Sequence, residues 1–206
     1  MKRLMLILFI FLAFINNLIA KTSYSEPNGY LNDHGYVDLS LPSGTMWATC
    51  NVGARDAYCS GVFCYWGIDG TKPDSTYNGK SSIAGTDSDI AFVNWKEGWR
   101  TPSNKDWKEL KKYCKWKWTT INGQHGYLVT GKNNNSIFLP ASGYRVYYGK
   151  RNQGATGAYW SASYNPYINE ESTFASYFHF NLHRAYMSSC TSGYEQQVRP
   201  VCSRRK

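Results

Sequence analysis

The strongest hydrophobic pattern of the chain lies at its N-terminus. After two basic residues, twelve apolar residues run from Leu4 to Ile15, and the segment ends with the small side chain of Ala20. A membrane-spanning helix needs about 20 apolar residues, so this run is too short for an anchor. A basic start, a short apolar stretch and a small final residue are typical of a cleavable secretory signal. Residues 1–20 are therefore predicted to be a signal peptide.

The first predicted element of the mature chain is a β-hairpin. Val37 and Leu39 alternate with polar neighbours, and the turn-forming tripeptide Pro42-Ser43-Gly44 follows them. Alternation with period two followed by a Pro-Ser-Gly turn is typical of a strand and its hairpin connection. Residues 45–50 are expected to form the second strand.

The second half of the chain is expected to be rich in β-strands. Short apolar runs predict strands at residues 126–130, 136–139 and 197–202. The clearest alternation, at residues 178–183, places Phe178, Phe180 and Leu182 on one face of a strand. The other face carries His179, Asn181 and His183. Alternating histidines can bind zinc, but an exposed polar strand face explains the same pattern, and no metal site is predicted.

One helix is predicted to begin after Ser103. Ser103 can cap it, and Asp106 stands three residues on, where it can complete a capping box. The side chains of Trp107, Leu110 and Cys114 then form one apolar stripe. The last turn of this helix is predicted to contain basic residues that suit the negative end of the helix dipole, namely Lys111, Lys112 and Lys115.

Two polar segments are expected to lie outside the core. Residues 21–35 are turn-rich and are interpreted as an N-terminal leader, which leaves residues 36–206 as one domain. Residues 67–90 are rich in Gly, Asp, Ser and Thr and are predicted to be a long surface loop. The acidic residues of this loop offer a weak calcium hypothesis: Asp69, Asp74, Asp87 and Asp89.

Charge and cysteine content narrow the functional classes. The chain carries a formal net charge of +9, but its basic residues are scattered and no nucleic-acid motif accompanies them, so no nucleic-acid partner is expected. Export permits disulfides, and six cysteines allow 15 pairings, among which the sequence does not choose. The spacings lack the paired pattern of zinc sites, although Cys59 and Cys64 are close enough to clip one loop. The disulfide candidates are Cys50, Cys59, Cys64, Cys114, Cys190 and Cys202.

A recognition surface is predicted in the segment 164–194. Tyrosine offers a large contact area at low entropic cost, and amide side chains add adaptable hydrogen bonds. The candidate ligand-binding residues are Tyr164, Asn165, Tyr167, Asn169, Tyr177, His179, Asn181, His183, Arg184 and Tyr186. No set of acid, base and nucleophile is recognisable, so neither catalysis nor a cofactor is expected.

Six short motifs, in order, resemble one known family. They are WATCNVGA at 47–54, GWRTPS at 98–103, SIFLPA at 136–141, GYR at 143–145, YWS at 159–161 and VRPV at 198–201. Together they resemble the FISUMP family (the Fibrobacter succinogenes major paralogous domain), which is related to C-type lectin-like domains. The resemblance covers about residues 36–202.

This resemblance implies an α+β protein with a C-type lectin-like fold, twisted antiparallel sheets, one main helix and long irregular loops. It also implies that Cys114 on the helix could bridge to Cys202 on the last strand. Calcium-dependent lectins carry a Trp-Asn-Asp triplet, which this chain lacks, and Glu26-Pro27-Asn28 imitates only their proline motif. That tripeptide is interpreted as a turn.

The sequence therefore predicts an exported, non-catalytic binding or adhesion module. Its partner would be a protein or glycan on a cell surface or in the extracellular matrix. The protein itself would be periplasmic, surface-bound or secreted, with no membrane span after signal cleavage. The alternative hypothesis is a structural component of a bacterial surface assembly, such as a pilus tip or an envelope complex.

Overall fold

Antiparallel β-sheets make up most of the structure. The computed structural model describes residues 24–67, 82–147, 149–164 and 174–203, which contain thirteen strands, in four sheets, and two helices. The predicted signal peptide lies outside these residues. Within them, no helix is both long and apolar enough to cross a bilayer. The expectation of a mixed, β-rich protein is confirmed.

A five-stranded sheet joins the two ends of the chain. Its strands are β1 (Gly29–Leu31), β2 (His34–Asp38), β3 (Thr45–Ala48), β4 (Trp99–Arg100) and β13 (Val201–Ser203), in the order β1-β2-β3-β13-β4. The predicted hairpin is confirmed, since β2 and β3 are antiparallel with Val37 opposite Trp47. The predicted last strand begins at Val201 rather than at Gln197, because Gln197 instead forms an isolated parallel bridge with Tyr159.

The segment interpreted as a leader takes part in this sheet. β1 lies within it, and the predicted boundary between residues 35 and 36 falls inside β2. The Ser25 backbone N–H also donates to the Ser136 carbonyl oxygen at 2.9 Å. The described part of this segment is therefore tied to the domain by backbone pairing, which its polar side chains did not reveal.

A short helix, α1 (Ile90–Trp95), was not predicted, and it ends the segment expected to be a surface loop. Asp89 caps it and is fully buried. The Asp89 carboxylate accepts hydrogen bonds from the backbone N–H groups of Ala91 at 3.0 Å and Thr101 at 2.8 Å. Ile83 is buried as well. Within residues 82–90, Ile83, Asp89 and Ile90 are thus buried although a surface loop was predicted, whereas Gly85 and Asp87 are exposed. Residues 68–81 lie outside the described residues.

The longer helix, α2 (Asn104–Tyr113), confirms the predicted capping box. The Ser103 hydroxyl accepts the Asp106 backbone N–H at 3.3 Å, and the Asp106 carboxylate accepts the Ser103 N–H at 2.7 Å. Trp107 and Leu110 are fully buried, as the apolar stripe predicted. Lys115 was wrongly placed in the last turn, because the helix ends at Tyr113 and Lys115 begins the next strand.

Three further sheets follow α2. The first contains β5 (Lys115–Ile121), β6 (Gln124–Thr130) and β7 (Ser136–Pro140), and the second is the hairpin of β8 (Tyr144–Val146) and β9 (Gly149–Arg151). The third contains β10 (Thr156–Tyr164), β11 (Phe174–Asn181) and β12 (Ala185–Thr191), with β11 in the centre. The predicted strands 126–130 and 136–139 correspond to β6 and β7.

Two clusters of buried side chains lie on opposite faces of the β10–β11–β12 sheet. The largest members of the first cluster are Trp47, Trp107, Tyr159, Phe178 and Phe180. The largest members of the second cluster are Met46, Trp66, Trp95, Trp99 and Trp160. Because Phe178 and Phe180 alternate along β11, the first cluster covers one whole face of that strand.

A fully buried arginine fixes the segment that leads into β13. Among the described residues, no carboxylate lies within ion-pair distance of Arg199, so neutral oxygen atoms satisfy its guanidinium. The acceptors are Asn51 Oδ1 at 2.8 Å and the carbonyl oxygens of Phe138 at 2.9 Å, Thr49 at 3.1 Å, Ala48 at 3.2 Å and Ala57 at 3.4 Å. One side chain thus joins the C-terminal segment to the loop after β3 and to β7.

The expected disulfides do not form in this structure, where all six cysteines are free thiols. The pairing of Cys114 with Cys202 is not made, because Cys114 packs against the first cluster whereas Cys202 belongs to the second. Gln196 contacts two other thiols instead. The Cys64 Sγ donates to the Gln196 carbonyl oxygen at 3.4 Å, and the Gln196 amide donates to the Cys190 Sγ at 3.1 Å.

Candidate functional site

The face of β11 that turns away from the first cluster carries the candidate site. Tyr177 and His179 occupy this face and are partly exposed, whereas Phe178 and Phe180 on the other face are fully buried. The predicted period-two alternation is correct at Phe178, His179 and Phe180, and Tyr177 continues it. The outward face is therefore held rigidly by the packing of the inward one.

The predicted alternation fails at the end of the strand. β11 ends at Asn181, and the Asn181 Oδ1 accepts the backbone N–H groups of His183 at 2.9 Å and Arg184 at 3.1 Å. This is the local hydrogen bonding by which asparagine favours turns. Leu182 is consequently 54% exposed instead of buried, and His183 lies in the turn rather than beside His179 on the strand.

The neighbouring strand β12 brings two of the predicted residues together. Tyr186 lies directly opposite His179, and their ring centroids are 5.2 Å apart. The Tyr177 ring centroid is 6.2 Å from that of His179, and the Arg184 guanidinium lies 5.3 Å from the centre of the Tyr186 ring. We call Tyr177, His179, Arg184 and Tyr186 the aromatic surface.

The aromatic surface is supported from the β10 side. Trp160 lies opposite Tyr177 on the same face, with ring centroids 6.2 Å apart, but it is fully buried. Its indole N–H donates to the Cys64 carbonyl oxygen at 2.8 Å, so the segment around Cys64 covers this part of the sheet. The same sheet face is thus closed over β10 and open over β11 and β12.

Two residues of the aromatic surface, Tyr177 and His179, have pKa values shifted in the direction that favours their neutral forms. Burial, and secondarily the nearby Arg184 cation, lower the pKa of His179 below its usual value. Burial raises the pKa of Tyr177, whose hydroxyl also forms a hydrogen bond with Ser188. The buried Nδ1 of His179 has no hydrogen-bond partner among the described residues. Arg184 is therefore the charged group that a ligand on this surface would meet.

Two residues beside this surface were not predicted from the sequence. Tyr144 and Tyr194 bring their ring centroids to 5.7 Å, and both Tyr144 and Tyr186 lie near enough to Tyr177 to influence its pKa. The concentration of tyrosine between residues 144 and 186 was the available indication. It carries no information on which rings are adjacent.

The remaining predicted binding residues lie elsewhere. Tyr164 pairs with Ala175 at the opposite end of the sheet from Arg184, and its ring lies 6.2 Å from that of Trp66. Asn181 and His183 belong to the turn described above. The other three lie outside the described residues: Asn165, Tyr167 and Asn169. Of the seven predicted residues that the structure describes, four therefore form the aromatic surface and three lie apart from it.

Asn28 and Asp89, two of the residues considered for calcium, have structural roles, whereas Asp87 is exposed. Asn28 Oδ1 accepts the Asp38 backbone N–H at 2.8 Å and the Asn135 side-chain amide at 3.0 Å, as a turn residue does. Asp89 caps α1. In the described part of the chain, no three His, Cys, Asp or Glu side chains are grouped to hold a metal ion. Asp69 and Asp74 lie outside the described residues.

The thiols are poor nucleophiles in this environment. Burial raises the pKa of Cys114 to about 11 and that of Cys202 and Cys190 to about 12. Burial also raises the pKa values of Cys50 and Cys64. Because the thiolate is the reactive form, these cysteines are protonated and unreactive near pH 7.

Comparison with protein-family models, with curated proteins and with solved structures finds no match for this chain. The resemblance to the FISUMP family remains a prediction from the six motifs.

Proposed function

We propose that this protein is a non-catalytic binding or adhesion module whose ligand, a protein or a glycan, contacts the aromatic surface. The observation that carries the proposal is the row formed by Tyr186, His179 and Tyr177, with ring centroids 5.2 and 6.2 Å apart. These side chains are partly exposed on β11 and β12, and the two β11 residues that flank His179 on the opposite face, Phe178 and Phe180, are fully buried.

The physical argument rests on preorganisation. A side chain that is already ordered loses less entropy on binding, so its contact with a ligand contributes more to affinity. Tyr177 is held by Trp160 and Ser188, and Tyr186 by His179 and Arg184. Partly exposed aromatic rings with polar ends are enriched where proteins bind other molecules.

We also propose that the protein has no catalytic role. Two observations support this. Burial raises the pKa of the Cys190 thiol, and burial and the Arg184 cation lower the pKa of His179, which forms no ion pair with a carboxylate in the part of the chain that the structure describes. A general base needs a hydrogen-bonded partner that orients it, and the His179 Nδ1 has none among the described residues.

We also propose a fold family and a cellular compartment for the protein. We propose a C-type lectin-like domain of the FISUMP family, supported by the six motifs, by the capped helix α2 and by the pairing of β3 with β13 near the two ends of the domain. Export is proposed from the N-terminal pattern. N-terminal sequencing of the protein recovered outside the cytoplasm should begin at Lys21.

The binding proposal is tested with two matched double variants. Tyr177→Ala/Tyr186→Ala removes two rings of the aromatic surface, whereas Tyr30→Ala/Tyr58→Ala removes two tyrosines located away from β11 and β12. Each protein is applied to a glycan array and used as bait with extracellular matrix and cell-surface proteins, after circular dichroism has verified its fold.

The first variant should lose about tenfold or more in affinity for the ligand found, which corresponds to about 1.4 kcal/mol. The second should bind as the unchanged protein does. If the first variant keeps full affinity, the aromatic surface is not the binding site.

A further inference from the structure

A basic hairpin lies next to the aromatic surface. The strands β8 and β9 pair from Tyr144 opposite Arg151 to Val146 opposite Gly149. Three of its side chains are exposed cations: Arg145, Lys150 and Arg151. Tyr147, at the turn between the strands, is 87% exposed.

Backbone pairing holds this hairpin in place. The Arg145 N–H donates to the Glu195 carbonyl oxygen at 2.8 Å, and the Glu195 N–H donates back to the Arg145 carbonyl oxygen at 3.0 Å. A Cβ atom at Gly193 would lie 3.9 Å from both the Tyr147 hydroxyl and the Thr191 hydroxyl. Since Thr191 ends β12, the hairpin turn reaches the end of β12 that is far from Tyr186. Tyr144 of the hairpin lies near enough to Tyr177 to influence its pKa, so the hairpin adjoins the Tyr177 side of the aromatic surface.

The cations of this region outnumber its carboxylates. Arg145 forms an ion pair with Glu195 at 3.8 Å, and the Tyr65 hydroxyl engages the same carboxylate. Lys150, Arg151 and Arg184 have no carboxylate within ion-pair distance in the described part of the chain. Three cations without a carboxylate partner among the described residues are therefore left in this region, two of them on the hairpin and the third, Arg184, beside the Tyr186 ring.

The Phe63 ring contacts two of the three cations of the hairpin. The Arg145 guanidinium and the Lys150 ammonium lie 4.9 and 5.3 Å from the centre of the Phe63 ring. Phe63 is buried, so this contact ties two flexible cationic side chains to a rigid part of the protein. A cation that is already positioned loses less entropy when it meets an anion.

We propose that the hairpin cations and the aromatic surface together bind an acidic polysaccharide, one that carries carboxylate or sulfate groups. The inference rests on the proposed function and names its ligand class. The tyrosine rings would pack against the C–H faces of the sugar rings, and Lys150, Arg151 and Arg184 would pair with the anionic groups along the polymer.

The shape of the surface favours a polysaccharide over a protein partner. Protein interfaces are anchored by side chains that fill apolar pockets. The cleft of about 300 Å³ opens on the five-stranded sheet, where Tyr36, Met46 and Cys202 line it, rather than on the aromatic surface. An extended polymer with regularly spaced charges makes use of a row of rings and cations without such a pocket.

The test compares two variants that lose the same charge. The site variant is Lys150→Gln/Arg151→Gln/Arg184→Gln. The control variant, Lys105→Gln/Lys108→Gln/Lys111→Gln, removes three exposed cations from α2. Binding is measured by isothermal calorimetry against heparin, polygalacturonate, neutral dextran and single-stranded DNA, at low and at physiological salt.

The unchanged protein should bind at least one of the two acidic polysaccharides and not dextran, with an affinity that falls as salt rises. The site variant should lose about tenfold or more of this affinity, and the control variant less than about threefold. Each tenfold loss is 1.4 kcal/mol.

Three results would overturn the inference. Equal losses in both variants would show that overall basicity causes the binding. Binding of DNA as tight as that of the polysaccharides, with the same dependence on the site cations, would exclude a polysaccharide-specific surface. Binding of neither acidic polysaccharide would exclude the ligand class. In that third case the proposed function still stands if another ligand depends on Tyr177 and Tyr186.

Discussion

The two faces of β11 have opposite environments although their residues alternate along one strand. Phe178 and Phe180 are fully buried among the aromatic rings of the first cluster, whereas Tyr177 and His179 are partly exposed on the opposite face. The inward face packs the core, and the outward face carries the proposed binding site. Substitutions on the inward face should therefore change stability, and substitutions on the outward face should change binding.

The largest expected effect is on the inward face. Phe178 stacks on Trp107 with ring centroids 4.8 Å apart and an interplanar angle of 2°, so Phe178→Ala leaves a cavity inside the first cluster. We expect it to lower the free energy of unfolding by about 3–5 kcal/mol. Urea denaturation followed by tryptophan fluorescence measures this. A loss below about 1 kcal/mol would contradict the conclusion that the inward face of β11 stabilises the protein.

A similar but smaller loss is expected at Arg199, which anchors the C-terminal segment that leads into β13. Arg199→Met removes a fully buried guanidinium and leaves its carbonyl acceptors without their donor. We expect a loss of about 3 kcal/mol in the free energy of unfolding, since each unpaired buried group costs about 1–3 kcal/mol. The exposed Arg151→Met serves as the control and should change stability by less than about 0.5 kcal/mol.

A smaller effect is expected on the outward face, where His179 makes the stability of the protein dependent on pH. Because the pKa of His179 is lowered in the folded protein, the unfolded chain binds more protons below the usual histidine pKa of about 6.5. Stability due to this residue is therefore complete above that pH and decreases as the pH falls through it.

His179→Gln should accordingly reduce the drop in melting temperature between pH 7.5 and pH 5.5. The pKa of His34, which stacks on Trp95, is also lowered by burial, so part of the drop should persist in this variant. An unchanged drop in His179→Gln would show that His179 titrates in the folded protein as it does in the unfolded chain.

The sequence predicted elements whose determinants are local. The capping box of Ser103 and Asp106 and the alternation along β11 depend on residues within a few positions of each other, and both are present in the structure. Leu182 was placed on the wrong face because the predicted alternation ran to residue 183, whereas β11 ends at Asn181. The Asn181 side chain accepts the backbone N–H groups of the turn, and the alternation of apolar residues does not reveal that the turn replaces the strand here.

What the sequence did not predict depends on distant contacts. Asp89 stands in a polar stretch, yet Thr101, twelve positions later, donates to its carboxylate and helps to bury it. Tyr144 and Tyr194 are brought together by the pairing of Arg145 with Glu195. These contacts arise from topology, which the hydrophobic pattern does not determine.

The proposal that a ligand contacts the aromatic surface is tested most directly by NMR, which maps the contact of the bound ligand on the isotope-labelled protein. With the ligand found in the binding screen, the backbone amides of Tyr177, His179 and Tyr186 should shift, and those of Trp107 and Leu110, which are buried in the first cluster on α2, should not. Shifts centred instead on Tyr36 and Met46, at the cleft of the five-stranded sheet, would contradict the account.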